Sequence, residues 1–339
     1  MTAPSPYPEV SLLMPVRFAR DFLAAALDSL EDQSLESWEL LAVPDRADEA
    51  TRKILQERAA GNPRIRILSS PGEGILPALE AALAYARGKW VGRTDADDWY
   101  PPRRLHQMKK ALEESSPDTV VTGQVRYFPR DTLSEGYQRY EDWLNTLNHR
   151  QRHAQNAYRE CPVASPNWLM RRDVLEKTGG FLGLTYPEDY DLFFRWYAQG
   201  LPIYSLPEIT LYWREHPERT SRNSRHYRQK AFFQLKIPRF LEIDRRENGP
   251  LYLLGTGRKG KLTGRFLKEA GVAFHWLERF PERYPQGLWN QEVAPLRALP
   301  GAGTSQVLVA VYPPLQERRD LEAFLQERGY EEGRDYWYL

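Results

Sequence analysis

The chain has 339 residues, 41% hydrophobic and 27% charged, a globular composition with room for two domains and not that of a disordered chain. Forty-seven basic against 46 acidic side chains leave a net charge of +1, which excludes the net basicity of a nucleic-acid coat binder. No run of about 18 apolar residues occurs, the opening MTAPSPYPEV lacks a secretory signature, and the single cysteine, Cys161, cannot close an internal disulfide. A cytoplasmic protein is the expectation.

In chain order, Val10–Val16 reads as a buried strand, and Phe18–Leu30 carries the helical spacing of Phe22, Leu23, Ala26, Leu27 and Leu30. Trp38–Val43 is a second strand, followed by a polar helix through Ile54 and Leu55. Ile65–Leu68 is a third strand, Ile75–Ala86 an alanine-rich helix and Lys89–Thr94 a fourth strand. Strands separated by helices predict βαβ units and a parallel sheet, whose ligands sit at the carboxyl ends of the strands. A helix over Pro102–Leu112 and a strand over Thr119–Phe128 follow. Pro129–Ser165 is polar and aromatic with weak periodicity and reads as an inserted helical or loop region. A helix ending near Thr178, a helix over Pro187–Ala198 and a strand over Ile203–Trp213 complete the first part.

The sharpest chemical signal is Arg93-Thr94-Asp95-Ala96-Asp97-Asp98-Trp99. Asp95 and Asp97 are two apart at a strand end, so on extended chain they share a face. Two such carboxylates repel each other unless they share a cation, and Mg²⁺ or Mn²⁺ takes carboxylate and phosphate oxygens together. For Asp98 a helix-capping role before Pro101-Pro102 stays open.

This stretch resembles the family 2 glycosyltransferases, inverting enzymes of the GT-A fold, through blocks in the family's order. Val10–Val16 with Arg17 is similar to the family's opening strand, and Leu27-Asp28-Ser29-Leu30 with Gln33-Ser34 to its first helix end. Gly74–Gly88, Trp90-Val91 and Arg93–Trp99 resemble its central block. Cys161–Phe181 and Glu188-Asp189-Tyr190-Asp191-Leu192 resemble its acceptor-side segment and its EDYDL motif. The likeness covers about residues 9–225. It implies a GT-A nucleotide-diphospho-sugar transferase fold with a mostly parallel sheet, and a donor site at Pro15, Asp45, Arg93, Asp95 and Asp97. Asp45 would read the base, Asp95 would meet the ribose or nucleotide, and Asp97 would hold the metal bridging the diphosphate. Asp189 would be the general base. His216, in the basic loop Arg214–Lys230, would be a third metal ligand beside Asp95 and Asp97. The implied partners are a nucleoside-diphosphate sugar, a UDP-sugar first, and a glycan or lipid-linked acceptor meeting Pro129–Ser165; no nucleic acid is implied.

The sequence departs from the family in two places. Pro44-Asp45-Arg46-Ala47 keeps one of two usual acids after the second strand, and Leu79-Glu80 replaces the usual Asn or Arg in the Gly74–Gly88 helix, which leaves nucleotide and sugar selectivity open. The processive synthases' Gln-x-x-Arg-Trp is absent: Phe193-Phe194-Arg195-Trp196 stands there, favouring single sugar addition.

A polar linker, Arg245–Pro250, starts a second, small Rossmann-like α/β domain, giving expected domains of 1–245 and 246–339. Its elements are strand Leu251–Leu254, helix Lys259–Ala270, strand Val272–Glu278, strand Val307–Val311, helix Leu315–Gly329 and an aromatic end, Tyr336–Leu339. Gly255, Gly257 and Gly260, which follow the first strand and open the helix, form a candidate phosphate-binding turn, and Glu278 stands where an acid would meet a ribose. The helix over His226–Ile243, broken at Pro238, reads as domain packing, with peripheral membrane contact as the other option. Two further functional readings stay open: a non-catalytic nucleotide-sugar-binding protein, and an NAD(P)-dependent oxidoreductase centred on Gly255–Gly260. Homo-oligomer formation is also open.

Overall fold

The computed structural model describes residues 7–129 and 133–339. The opening six residues and 130–132, on which part of the leader reading and of the Pro129–Ser165 region falls, lie outside the described residues. The chain packs as two compact units, Met1–His153 with Pro162–Arg222, and Ala154–Cys161 with Asn223–Leu339.

In the first unit, β1 (Val10–Val16), β2 (Trp38–Pro44), β3 (Ile65–Ile67) and β4 (Trp90–Arg93) pair in parallel in the order β3-β2-β1-β4. The intervening helices are α1 (Leu23–Glu31), α2 (Glu49–Gly61) and α3 (Ile75–Ala84). β1 and β2 are almost wholly buried, which is why each reads as an unbroken apolar run. α4 (Arg104–Glu114), β5 (Val120–Phe128) and α5 (Glu135–Arg150) follow, α5 supplying the helix within the expected insertion. β6 (Met170–Arg171) adds antiparallel to β4 and leads into α6 (Arg172–Lys177), then α7 (Glu188–Ala198). β7 (Ile203–Arg214) pairs with β5 in a two-stranded parallel sheet.

The first helix starts at Leu23 and not at Phe18. Phe18 has φ +46, and the Ala19 carbonyl accepts from the N–H groups of both Phe22 and Leu23, so residues 18–22 form a turn.

After α8 (Thr220–Asn223), the second unit opens with α9 (Gln229–Ile243). β8 (Leu251–Leu254), α10 (Arg258–Glu269), β9 (His275–Glu278), β10 (Val293–Pro295), β11 (Gln306–Val309), α11 (Leu315–Glu327) and β12 (Tyr336–Tyr338) complete it. Its sheet is parallel throughout, in the order β10-β9-β8-β11-β12. The order reverses between β8 and β11, so the crevice at their carboxyl ends is where a doubly wound sheet takes a ligand.

Three readings shift. The unit boundary lies before α9 and not at 245/246, because Phe233, Leu235, Ile237 and Phe240 are buried and the Phe240 ring meets Tyr158 and Trp337. Those side chains are therefore not free to enter a membrane. α9 also runs through Pro238, whose missing N–H would bond Gln234, an exposed residue whose carbonyl water can satisfy. Finally, β9 begins at His275 and not Val272, whose N–H instead closes α10 on the Leu267 carbonyl. Among the described residues no helix is long and apolar enough to cross a membrane.

Candidate active site

The Asp95–Asp98 loop leaves the end of β4 and is held from three sides. Tyr100 Oη accepts from the Asp95 N–H at 2.7 Å and donates to the Asp95 carbonyl at 3.0 Å. From the end of α1, Ser29 Oγ accepts from the Tyr100 N–H at 3.1 Å. Buried Gln33 donates to the Pro101 carbonyl at 2.8 Å and accepts from the Leu105 N–H at 3.0 Å. Trp99 and Tyr212 exchange backbone hydrogen bonds, at 3.1 and 2.9 Å. That pairing brings the end of β7, with Arg214 and His216, to the acidic loop.

Carboxylate oxygens of Asp95, Asp97 and Asp98 all lie within 4.8 Å of one another. Asp95 takes a two-pronged contact from Arg93, at 2.8 and 3.3 Å. Asp97 Oδ2 meets His216 Nε2 at 2.9 Å, and the Asp97 carbonyl accepts from Arg214 Nε at 2.7 Å. Asp98 Oδ1 accepts from the Arg214 N–H at 2.8 Å. Asp98 therefore braces β7 and caps no helix, since α4 begins only at Arg104. Burial, then the Asp97 and Asp95 charges, push the Asp98 carboxyl well above its ordinary range. Burial also raises Asp95, against the pull of Arg93. At Asp97 the balance reverses: burial pushes upward, but His216 and Arg219 bring it below the ordinary value. For His216, burial pulls down while Asp97 and Glu218 carry it above the usual imidazole range.

Asp98 Oδ2 is buried with no hydrogen-bond partner among the described residues. An orphaned carboxylate oxygen inside a triad of acids suits a hard divalent cation, which takes oxygen ligands and removes the repulsion. The donor set fits Mg²⁺ or Mn²⁺, with the His216 nitrogen beside it.

The first turn of α7 places three acids in three settings. Glu188 is buried and accepts from Arg93 Nη1 at 2.9 Å, so one guanidinium joins α7 to Asp95. Asp191 is buried and takes the Thr185 N–H at 2.7 Å. Asp189 is half-buried, accepts the neighbouring Tyr190 N–H at 2.8 Å, and has no ion pair among the described residues. Burial and the Glu188 charge push its carboxyl up to about 7, against Arg93.

Pro15 and Asp45 close adjacent parallel strands at the same sheet edge, Pro15 paired with Val43. Asp45 is buried, donates its N–H to the Val16 carbonyl at 2.8 Å and accepts the Gly74 N–H at 3.0 Å. The structure thus gathers Arg93, Asp95, Asp97, Asp189 and His216 through direct contacts or shared charge, with Pro15 and Asp45 on the neighbouring strand ends.

In the second unit Gly255 and Gly257 lie in the turn between β8 and α10, and Gly260 in the first turn of α10. Glu278 does not stand open for a ribose: its Oε2 accepts from the Thr256 N–H at 3.0 Å and Oγ at 2.6 Å, so it latches the turn.

Sequence reasoning missed Glu188 as the partner of Arg93, Asp98 as a member of the acidic cluster, and the structural work of Ser29 and Gln33. It also missed Arg219, which is largely buried, pairs with Glu215 at 2.9 Å and lies over the Trp213 ring. The Ser29 and Gln33 signal was present in the LDSL…QS block, read there only as likeness.

Residues 11–179 match the family model described as glycosyl transferase family 2. The chain is 27% identical over 226 residues to EpsE of Bacillus subtilis, covering 65% of this chain and 78% of EpsE. It is 28% identical over 132 residues to a chondroitin synthase of Pasteurella multocida, covering 38% of this chain; it spans only 14% of that synthase's length. Among solved structures, S. aureus TarS in complex with UDP-GlcNAc superposes with a TM-score of 0.55 at 17% identity, covering 70% of this chain and 68% of the other. The mannosyltransferase PcManGT from Pyrobaculum calidifontis, in complex with GDP-Man and Mn²⁺, gives 0.53 at 20% with the same coverages. With the strand order, the acidic loop and the α7 acids already in place, the chain carries a glycosyl transferase family 2 domain of the GT-A fold.

Proposed function

We propose that the first unit is an inverting, metal-dependent glycosyltransferase that moves one sugar from a nucleoside-diphosphate sugar to an acceptor hydroxyl, in polysaccharide or glycoconjugate assembly. The observation that carries this reading is Asp189, a half-buried carboxylate poised near 7 with no ion pair among the described residues. It sits one residue from Glu188, whose contact with Arg93 ties it to the acidic loop.

Asp97 and Asp98, with Asp95 and His216 beside them, would hold Mg²⁺ or Mn²⁺, which when bound supplies positive charge to the departing diphosphate. Asp189 would accept the proton of the acceptor hydroxyl as its oxygen forms a bond to the anomeric carbon. The bond from that carbon to the diphosphate oxygen breaks at the same time, and its electron pair leaves on the diphosphate. One displacement from the opposite face inverts the anomeric centre. Arg93 would keep Asp95 and α7 in register during that step. The TarS complex with UDP-GlcNAc and the PcManGT complex with GDP-Man and Mn²⁺ support a nucleotide-sugar donor and a metal; a UDP-sugar is tried first.

The test offers UDP-, GDP-, dTDP- and CDP-sugars with Mn²⁺ and measures nucleoside diphosphate release. The expected result is release from one donor class that is lost in Asp189→Asn, while the free diphosphate still raises the thermal midpoint of that variant. Release that survives in Asp189→Asn would remove the base assignment. Stabilisation without release from any donor, tried with simple glycan acceptors present, would leave a nucleotide-sugar-binding protein.

A further inference from the structure

A cleft of about 550 Å³ opens in the second unit at the start of α10, lined by Lys230, Thr256, Gly257, Arg258, Lys261 and Arg265, with Gln229, Leu262 and Tyr284 completing the wall. Four of these side chains are cationic and none is acidic. None of the four makes an ion pair or side-chain hydrogen bond with any described residue. Elsewhere in the chain Arg58, Arg87, Arg93, Arg171 and Arg219 are each paired with a carboxylate. Four cations lining one concavity give it a positive potential that attracts an anion. Glu278, held by the Thr256 N–H and hydroxyl behind the wall, makes no ion pair with any of the four.

We infer that this cleft binds a small molecule through a diphosphate group, as a second anion site separate from the donor site of the first unit. Arg258, Lys261 and Arg265 lie along α10 at positions i, i+3 and i+7, one helical face, and Lys230 faces them from α9. The Gly257 backbone and the start of α10 add N–H groups to the same wall. The cleft volume is in the range of small-ligand sites and fits a nucleoside diphosphate, for which Tyr284 and Leu262 offer an aromatic ring and an apolar contact.

The experiment uses the full chain carrying Asp97→Ala, in EDTA, so that a metal-dependent donor site cannot report. Inorganic pyrophosphate and UDP are titrated by calorimetry, and the same titrations are run with Arg258→Glu and Lys261→Glu added together. Arg319→Glu, an exposed charge reversal on α11 outside the cleft, is the control. Saturable binding is expected, weakened by roughly tenfold or more in the Arg258/Lys261 variant, as loss of charge-assisted hydrogen bonds requires, and unchanged in the control. UDP binding more tightly than pyrophosphate would identify a nucleotide; equal binding would identify recognition of the diphosphate alone. No binding of either, or equal weakening by Arg319→Glu, would overturn the inference. Thermal midpoints of all variants confirm that the folded chain is compared, and diphosphate release by the parent with the Arg258/Lys261 changes tests the first unit independently.

Discussion

His216 and Asp97 stand 119 residues apart in the chain and meet at 2.9 Å through Nε2 and Oδ2. The imidazole is held on its other side by Glu218, 3.2 Å from Nδ1, and by the Phe22 ring at a centroid distance of 4.4 Å. A ring so fixed presents one nitrogen toward the acidic cluster, as metal-ligating histidines do when a carboxylate orients them. His216→Ala is expected to weaken Mn²⁺ binding by about 10- to 100-fold, measured by titration of the folded chain. Unchanged Mn²⁺ affinity would remove His216 from the metal site.

The Asp189 carboxyl, raised to about 7, gives activity a defined pH dependence. A base works only when ionised, so kcat/KM is expected to rise with pH through about 7 and level off above it. The same shift has an opposite effect on folding. An unfolded aspartate ionises near about 3.9, so keeping Asp189 charged in the fold costs stability that grows from there through 7. Asp189→Asn should therefore lose activity yet be no less stable than the parent at pH 8. A destabilised variant, or a flat pH profile between 6 and 8, would contradict the assigned environment.

Gln33 positions the acidic loop without touching substrate. Its amide donates to the Ser29 and Pro101 carbonyls, at 3.0 and 2.8 Å, and accepts from Leu105 at 3.0 Å. Gln33→Ala leaves buried backbone groups unpaired, at about 1–3 kcal/mol, and frees the segment that follows Asp98. The expected outcome is a lower unfolding free energy in denaturant together with weaker Mn²⁺ binding. Gln33→Glu should recover only part, because a carboxylate keeps the acceptor and loses the donors. A variant with reduced stability and unaltered metal affinity would show that the loop holds its shape without this brace.

Much of the first unit was legible because its signals are local. β1, β2 and β4 are buried as continuous runs, and Asp95, Asp97 and Asp98 lie within four residues of one another. The contacts that make those residues a site were not legible. Arg93 reaches Glu188 across 95 positions and Arg214 reaches Asp97 across 117, and residue spacing carries no record of either. β10 escaped notice for another reason: its three residues include Pro295, and only Val293 is buried, so no apolar period forms. Asp98 was open to reading as a cap because a lone acid before Pro101-Pro102 suits a helix start; only the strand lying beside it shows what it bonds.

The glycines of the second unit separate close packing from simple turn formation. Gly255 has φ +103 and donates its N–H to the Leu277 carbonyl at 2.9 Å, while Thr256 is latched to Glu278. The turn backbone is therefore pinned to the end of β9. A Cβ at Gly260 would lie 1.9 Å from the Gly255 carbonyl oxygen and 2.8 Å from its carbon, a clash with backbone that no side-chain rotation relieves. Gly260→Ala is expected to cost about 1–3 kcal/mol and to abolish pyrophosphate binding by the Asp97→Ala chain. Gly257, at the mouth of the cleft, has φ −69 and open space where its Cβ would stand, so Gly257→Ala should keep the parent's midpoint. Calorimetric unfolding of the two variants, side by side, checks the contrast. Equal loss in both would mean that chain flexibility at the turn, and not contact between Gly260 and Gly255, is what the glycines provide.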